Sequence, residues 1–428
     1  MKNDWPTRPL SEYVTSRPGN NKIIKGKQSD QPGDGLVQAF SASGPDVWVT
    51  TADYKQPGVV ISAVGARCGK TFMAEGEWTA IANTHVLLPG KDIDPRWLWY
   101  RTNEETFWIR GGAAQPFVKV KDTLQQACKI PPLAEQQRIV GLLDEAFEGL
   151  ATAKSNAEKN LQNARALFES LLTSAMSGKL TKEWRKSHPH VETGSALLDQ
   201  ILAKRRRAWS KKGEYPEPTP PSTNDSPSIP ASWTWTNLSQ LKTFSLYGPR
   251  FSNDDYSQTG VLVLRTTDID EHGKVNSDTA PKLKMTEEEF DKYRCKKGDL
   301  LITRTGSLGT LAVFDDDTRA IPGAYLIQFR LGFSEVIPWF LFAFFKSPAA
   351  QALLTSGGTG AGIQNLNVPT LEAIPIPFPP LDEQREIVSQ LNTLAEETQR
   401  LARLYERKNA ALEALKKSLL HQAFTGQL

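Results

Sequence analysis

The string Gly65-Ala66-Arg67-Cys68-Gly69-Lys70-Thr71 has the residue types of a phosphate-cradling loop: glycines that let backbone approach an anion and a lysine that neutralises it. Its spacing is one residue short of the Walker pattern, and the counterpart Gly306-Ser307-Leu308-Gly309-Thr310 has no lysine, so both read as Gly-rich turns. The five histidines (His85, His188, His190, His272, His421) show no metal-ligand spacing, and Cys68, Cys128 and Cys295 form neither a disulfide framework nor a zinc motif. No Gly-x-Ser-x-Gly elbow and no Asn-Pro-Pro-aromatic methyltransferase string occurs, and the glycines from Gly357 to Gly362 open no βαβ unit. What remains is recognition chemistry. Arg67, Lys70, Gln115, Lys119 and Lys121, and later Arg250, Arg265, Thr267, Arg304, Ser307, Gln364, Asn365 and Asn367, are candidate DNA contacts. Arg pairs bidentately with guanine, Gln and Asn pair with adenine, and Lys or a short hydroxyl suits phosphate.

These candidates fall in two segments of a duplicated chain. Pro131-Pro132-Leu133-Ala134-Glu135-Gln136-Gln137-Arg138-Ile139-Val140 aligns with Pro379-Pro380-Leu381-Asp382-Glu383-Gln384-Arg385-Glu386-Ile387-Val388 at seven of ten positions. The offset of 248 runs without a gap to Gly178 and Gly426, with 18 identities over 50 positions. Upstream the match is looser: Trp5 and Leu10 with Trp233 and Leu238, Ile61 to Gly69 with Ile302 to Gly309, and Gly111-Gly112 and Gln115 with Gly357-Gly358 and Gln364. The order is A-B-A′-B′, which gives segments 1–130, 131–180, a basic and then Pro-rich connector over 181–230, 231–378 and 379–428.

Each A segment has short β-rich runs (47–50, 59–62 and 86–88; 261–264, 300–303 and 325–329) and one helix after a proline (96–110; 339–354), an α+β pattern. Each B segment reads as one long helix with a heptad-like seam. The first seam is Ile139, Leu143, Leu150, Leu167 and Leu171 with small Ala146, Ala153, Ala157 and Ala164 between; the second is Ile387, Leu391, Leu394, Leu401, Leu412, Leu415 and Leu419. Asn160 and Lys408 are the matching polar breaks. Small residues opposite large ones favour pairing within the chain; a bundle core or partner helices are the other ways to bury such stripes.

Composition adds limits. The length of 428 residues allows about three domains of ordinary size. With 51 basic and 48 acidic residues the formal charge is +3, which names no partner. The strongest apolar run, 336–345, is far short of the ~20 residues of a membrane helix, and no export signal opens the chain, so a soluble cytoplasmic protein is expected.

The repeated Pro-Pro-Leu-x-Glu-Gln-x-x-Ile-Val, the endings Ser177-Gly178-Lys179-Leu180 and Thr425-Gly426-Gln427-Leu428, and Pro230, Trp233 and Trp235 together resemble the specificity subunit of type I restriction-modification enzymes. The resemblance covers nearly the whole chain. It implies two target recognition domains, each reading one half of a split DNA site, separated by two long antiparallel coiled-coil helices in a pseudo-two-fold, circular repeat. It implies double-stranded DNA, two methyltransferase subunits and two restriction/translocase subunits as partners. S-adenosylmethionine, ATP and Mg would be bound by those partners, with no cofactor and no catalysis in this chain. An N-terminal arm found in some members is expected to be missing. Residues 1–130 carry +3 and residues 231–378 carry −2, so weak DNA binding by the isolated chain is expected. The rival of another class is a stand-alone DNA-binding or coiled-coil regulator.

Overall fold

In the computed structural model of the chain, residues 5–428 are described apart from Glu105, Ala113, Lys211, Asp225, Glu271 and residues 306–308 and 357–365. The first copy runs β1 (Thr7–Pro9), β2 (Val14–Pro18), β3 (Val37–Ser41), β4 (Gly44–Val49), β5 (Gly58–Ser62), β6 (Thr71–Ala74), β7 (Trp78–Ala80), β8 (Thr84–Pro89), α1 (Pro95–Thr102), β9 (Arg110–Gly111), β10 (Phe117–Val118), α2 (Val120–Leu124), β11 (Ala127–Lys129) and α3 (Leu133–Met176). After α4 (Lys182–Ser187) and α5 (Gly194–Arg207), the second runs β12 (Thr234–Thr236), α6 (Leu238–Leu241), β13 (Phe244–Tyr247), β14 (Tyr256–Ser257), β15 (Val261–Leu264), β16 (Lys282–Leu283), α7 (Glu287–Tyr293), β17 (Asp299–Thr303), β18 (Leu311–Phe314), β19 (Ala320–Pro322) and β20 (Leu326–Arg330). It closes with α8 (Pro338–Lys346), α9 (Pro348–Ser356), α10 (Val368–Ala373), β21 (Ile376–Phe378) and α11 (Leu381–Thr425).

The chain divides into two compact units, residues 1–160 with 404–428, and residues 161–403. In the first, an antiparallel sheet β2-β8-β5-β6 accompanies a smaller sheet β4-β3-β7 whose β3 and β7 are parallel. The second repeats the plan: β13-β20-β17-β18, then β14-β16-β15-β19 with β15 and β19 parallel. The central strands β5 and β17 are buried along their whole length, as their apolar runs require. The pairs β1·β11 and β12·β21 correspond as well.

Two helices differ from the sequence reading. The helix after Pro95 stops at Thr102, where the Trp108 indole donates to the Thr102 carbonyl (2.7 Å), and Arg110 belongs to a strand instead. The helix after Pro338 is interrupted at Ser347, because Pro348 has no N–H to continue the ladder; the Ser347 hydroxyl donates back to the Phe344 carbonyl at 2.6 Å. The stretch read as a connector also carries structure. In α5, capped by Thr193, the residues Leu197, Leu198 and Ile201 share one core with Leu172, Leu238 and Phe340. Its cations face partners within the second unit, Lys204 on Glu335 and Arg205 on the Ser239 carbonyl.

α3 and α11 pair antiparallel inside each unit. In the first, Arg138 donates to the Leu428 carbonyl (3.0 Å), Lys416 lies over Phe147 (5.2 Å) and Lys154 meets Glu413 (2.6 Å), so one chain number rises as the other falls. In the second, Leu172 and Ala175 pack with Ile387 and Leu391. The seam departs from a strict heptad in the same way in both helices. Ile139, Leu143, Ile387 and Leu391 are buried, and Leu150, Leu171, Leu394, Leu401, Leu412 and Leu419 are half-buried. Beyond Ala157, however, the inner stripe moves to Leu161, Ala164, Phe168 and Leu172, and in α11 to Asn409, Leu412 and Leu420. Asn160 and Lys408 therefore face outward, and Leu167 and Leu415 are 51% and 47% exposed. An ideal α-helix of period 3.6 drifts ~20° per heptad from a 3.5 repeat, which is enough to rotate these four positions out.

Candidate nucleic-acid interface

The N-termini of α3 and α11 show why the repeated Gln exists. The fully buried Gln136 side chain accepts from the Asp94 N–H (2.8 Å) and donates to the carbonyls of Asp92 and Pro131 (both 2.9 Å). Gln384 does the same with the Ile337 N–H (3.0 Å) and the carbonyls of Glu335 (3.3 Å) and Pro379 (3.1 Å). In each unit one amide ties the start of a long helix to the residues just before α1 or α8. The helix is thereby indexed to the domain that carries the sheet.

At one end of each large sheet, four backbone hydrogen bonds build matching corners. Gly19 N donates to Thr84 O (3.0 Å) and Gly248 N to Leu326 O (3.0 Å); Ala63 N donates to Asn83 O (3.0 Å) and Arg304 N to Tyr325 O (2.9 Å). Ser62 N donates to Lys70 O and Thr303 N to Thr310 O (both 2.9 Å), while Val118 N donates to Ala63 O (2.9 Å) and Leu366 N to Arg304 O (2.7 Å). The Gly65–Lys70 string thus closes the antiparallel β5–β6 hairpin, with Gly69 at φ 88° and its counterpart Gly309 at φ 80°. A phosphate-cradling loop leads from a strand into a helix, so this turn is not one.

In the first corner the β5–β6 turn lies against the β9–β10 hairpin through the Gly65 N to Pro116 O bond (2.8 Å). Arg67 and Lys70 of the turn, Gln115 of the hairpin, and Lys119 and Lys121 at the start of α2 are all exposed. Arg110, which sequence reasoning placed in a helix, joins them: a Cβ on Gly69 would sit 3.3 Å from its Nη2. The Phe117 ring, 40% exposed, lies over Gly111 and Gly112, where any side chain would collide with it. His85, on β8, donates to or accepts from Ser16 Oγ at 2.6 Å; burial, and next the charge of Lys121, push its pKa below the ordinary value.

The second corner differs in its side chains. Where the first unit has Pro18, Ala63 and Asn83, the second has Tyr247, Arg304 and Tyr325. The Arg304 guanidinium stacks over the Tyr247 ring at 4.7 Å, the Tyr247 hydroxyl accepts from Val368 N (3.0 Å), and Tyr325 is 52% exposed. Arg250 is exposed on the loop after β13. Ser307, Gln364 and Asn365 lie outside the described residues.

Two of the expected readers have local partners. Arg265 donates from Nε and Nη2 to the buried Asp268 carboxylate (3.0 and 2.8 Å) and from Nη2 to the Thr279 carbonyl (2.7 Å), bracketing the turn that carries exposed Thr267. Burial alone would raise the Asp268 carboxyl, but hydrogen bonds from Arg265 and Thr279 outweigh it and hold the pKa low. Asn367 is the N-cap of α10, accepting from the Thr370 N–H at 2.8 Å, a local job that leaves its carbonyl unavailable for adenine. Tyr247, Tyr325, Arg110 and Phe117 also stand at these corners, and in the sequence only Gly111-Gly112 hinted that a large side chain lies close by.

Among the described residues no group of three or more His, Cys, Asp and Glu could hold a metal ion, and no helix is long and apolar enough to cross a membrane.

The sequence profile of the family described as Type I restriction modification DNA specificity domain matches residues 3–161 and 233–412. The chain is 25% identical to the Type I restriction enzyme EcoBI specificity subunit of Escherichia coli, over 72% of this chain and 59% of that one. It is 23% identical to the EcoDI specificity subunit of Escherichia coli, over 99% of this chain and 89% of that one. The fold is similar to a chain from a structure of a type I R-M system (TM-score 0.68, 15% identity, 99% and 98% covered). It is also similar to the HsdS subunit from Thermoanaerobacter tengcongensis (TM-score 0.53, 17% identity, 100% and 98% covered).

Proposed function

The chain belongs to the family of type I restriction-modification DNA specificity proteins, and from that premise we propose that its two units each read one half of a split site in double-stranded DNA. The observation that carries this is the pair of matching corners: the same four backbone hydrogen bonds present different side chains, as two readers of different half-sites would. Arg67, Lys70, Arg110, Gln115, Lys119 and Lys121 serve the first half-site; Tyr247, Arg250, Arg304 and Tyr325, with Ser307, Gln364 and Asn365, serve the second. Thr267 is a more distant candidate.

The paired helices set the spacer between half-sites and dock two methyltransferase subunits. Leu167 and Leu415, matching residues 248 apart and both about half exposed, offer two like apolar contacts for two like partners. Two restriction/translocase subunits complete the complex. S-adenosylmethionine, ATP and Mg act on those subunits, and this chain supplies recognition without catalysis.

Mapping methylated adenines tests the reading. Exchanging residues 1–130 for another member's should alter one half-site only, and removing two turns from both long helices should change the spacer only. A change in both half-sites after the exchange would refute independent readers.

A further inference from the structure

The two corners share a backbone but not a charge state. In the first, Arg67, Lys70, Arg110, Lys119 and Lys121 are exposed and none makes an ion pair among the described residues; the one acid beside them in sequence is Asp122. In the second unit Lys242 pairs with Glu372, Arg265 with Asp268, Arg294 with Asp291, Lys297 with Asp315, Arg319 with Glu287 and Arg330 with Asp299, while Arg250, Lys274, Lys282, Lys284 and Lys296 are exposed without an ion pair among the described residues. At its corner Arg304 is stacked on Tyr247 and half-buried, and two exposed tyrosines stand where the first unit has Pro18 and Asn83. Residues 306–308 and 357–365 contain no Lys or Arg.

Cations without an ion pair on a turn, a hairpin and the start of α2 suit phosphate, since neutralising DNA charge releases counterions and needs no carboxylate to be displaced first. A guanidinium already stacked on an aromatic ring, flanked by tyrosines, suits the base edges and the thymine methyl of a groove wall, contacts that depend little on salt. Resting on the DNA-reading function above, we propose that the two units hold DNA by different physics: the first through phosphate neutralisation by its five exposed cations, the second through the aromatic and hydrogen-bonding contacts of Tyr247, Arg304 and Tyr325. The first corner then supplies more salt-dependent affinity than the second corner.

The test measures DNA affinity of the full chain, in complex with its methyltransferase subunits, on a duplex carrying the mapped site, from about 50 to about 200 mM KCl. Replacing the five cations together by Ala should lower the slope of log K against log salt by roughly 0.9 for each phosphate left without its cation, hence by about 3 or more. Tyr325→Ala should weaken binding about fivefold or more at every salt concentration and leave the slope unchanged. Unchanged melting temperatures, expected for exposed side chains, separate these effects from misfolding. An unaltered slope in the five-fold variant overturns the proposal; that is the outcome if the patch serves an acidic protein instead. So does a slope decrease of equal size per cation removed in Arg250→Ala/Arg304→Ala. If the wild-type complex binds mapped and scrambled duplexes alike, the DNA-reading function itself fails, a distinct result.

Discussion

Gln136 and Gln384 make the same three hydrogen bonds, whereas the glutamates one residue earlier do not share a role. Glu383 is fully buried and accepts from the Thr181 hydroxyl (2.6 Å), the Trp233 indole (2.8 Å) and Arg185. Glu135 remains partly exposed and pairs only with Arg138, one turn on. The same motif therefore holds one invariant joint between helix and sheet domain, and one acid that the second unit has turned into the hub joining α4, β12 and α11. A duplicated frame keeps what indexes its helices; side chains beyond that joint, the corners included, can be reassigned.

The largest expected effect breaks this comparison at its unequal member. Glu383→Ala leaves Arg185, Thr181 and Trp233 without their acceptor and should cost about 3–5 kcal/mol of unfolding free energy, read by urea denaturation. Glu135→Ala should cost less than about 1 kcal/mol by the same method, because an exposed i, i+3 pair is screened. Next come the leucines on either side of the helix drift: Leu172→Ala should cost about 2–5 kcal/mol and Leu167→Ala almost nothing. Equal losses would mean that the strict heptad holds after all. Gln136→Ala and Gln384→Ala should each cost about 1–3 kcal/mol, and it is their equality that tests the shared joint.

Two smaller effects sharpen it. Asn409 sits on the inner stripe with its Oδ1 buried and without a hydrogen-bond donor, so Asn409→Leu should raise the melting temperature, by the equivalent of about 1 kcal/mol. His85 is specific to the first unit. Its folded pKa lies below the ordinary 6.5, so the unfolded chain takes up the proton first as pH falls. Its contribution to stability is intact above pH 6.5 and lost as the pH drops below that value, and His85→Asn should flatten this part of a melting-temperature profile.

Much of the frame was legible in the sequence because it depends on local signals. Pro95 and Pro338 open helices, the Pro-Pro-Leu-x-Glu-Gln repeat opens longer ones, and the apolar runs at 59–62 and 300–303 are the buried central strands. The register of the seam was not, since counting in heptads hides the drift that a period of 3.6 accumulates against 3.5. Helix α5 is obscured by its own charges: the run Lys204 to Arg207 masks the Leu197, Leu198, Ile201 stripe that buries the helix. The candidate readers divide on the same principle. The five of the first corner stand on the β5–β6 turn, the β9–β10 hairpin and the start of α2 with no ion pair among the described residues, while Arg265 and Asn367 each have a partner three residues ahead, Asp268 and Thr370. That spacing was available in the sequence as capping chemistry. Tyr247 and Tyr325, in contrast, come together only because β13 and β20 pair.

The central claim is that each corner reads its own half-site. Mapping methylated adenines made by a complex carrying Tyr325→Ala addresses it most directly: the account predicts an unchanged first half-site, an unchanged spacer and a relaxed second half-site. Relaxation of the first half-site, or of both, would contradict it.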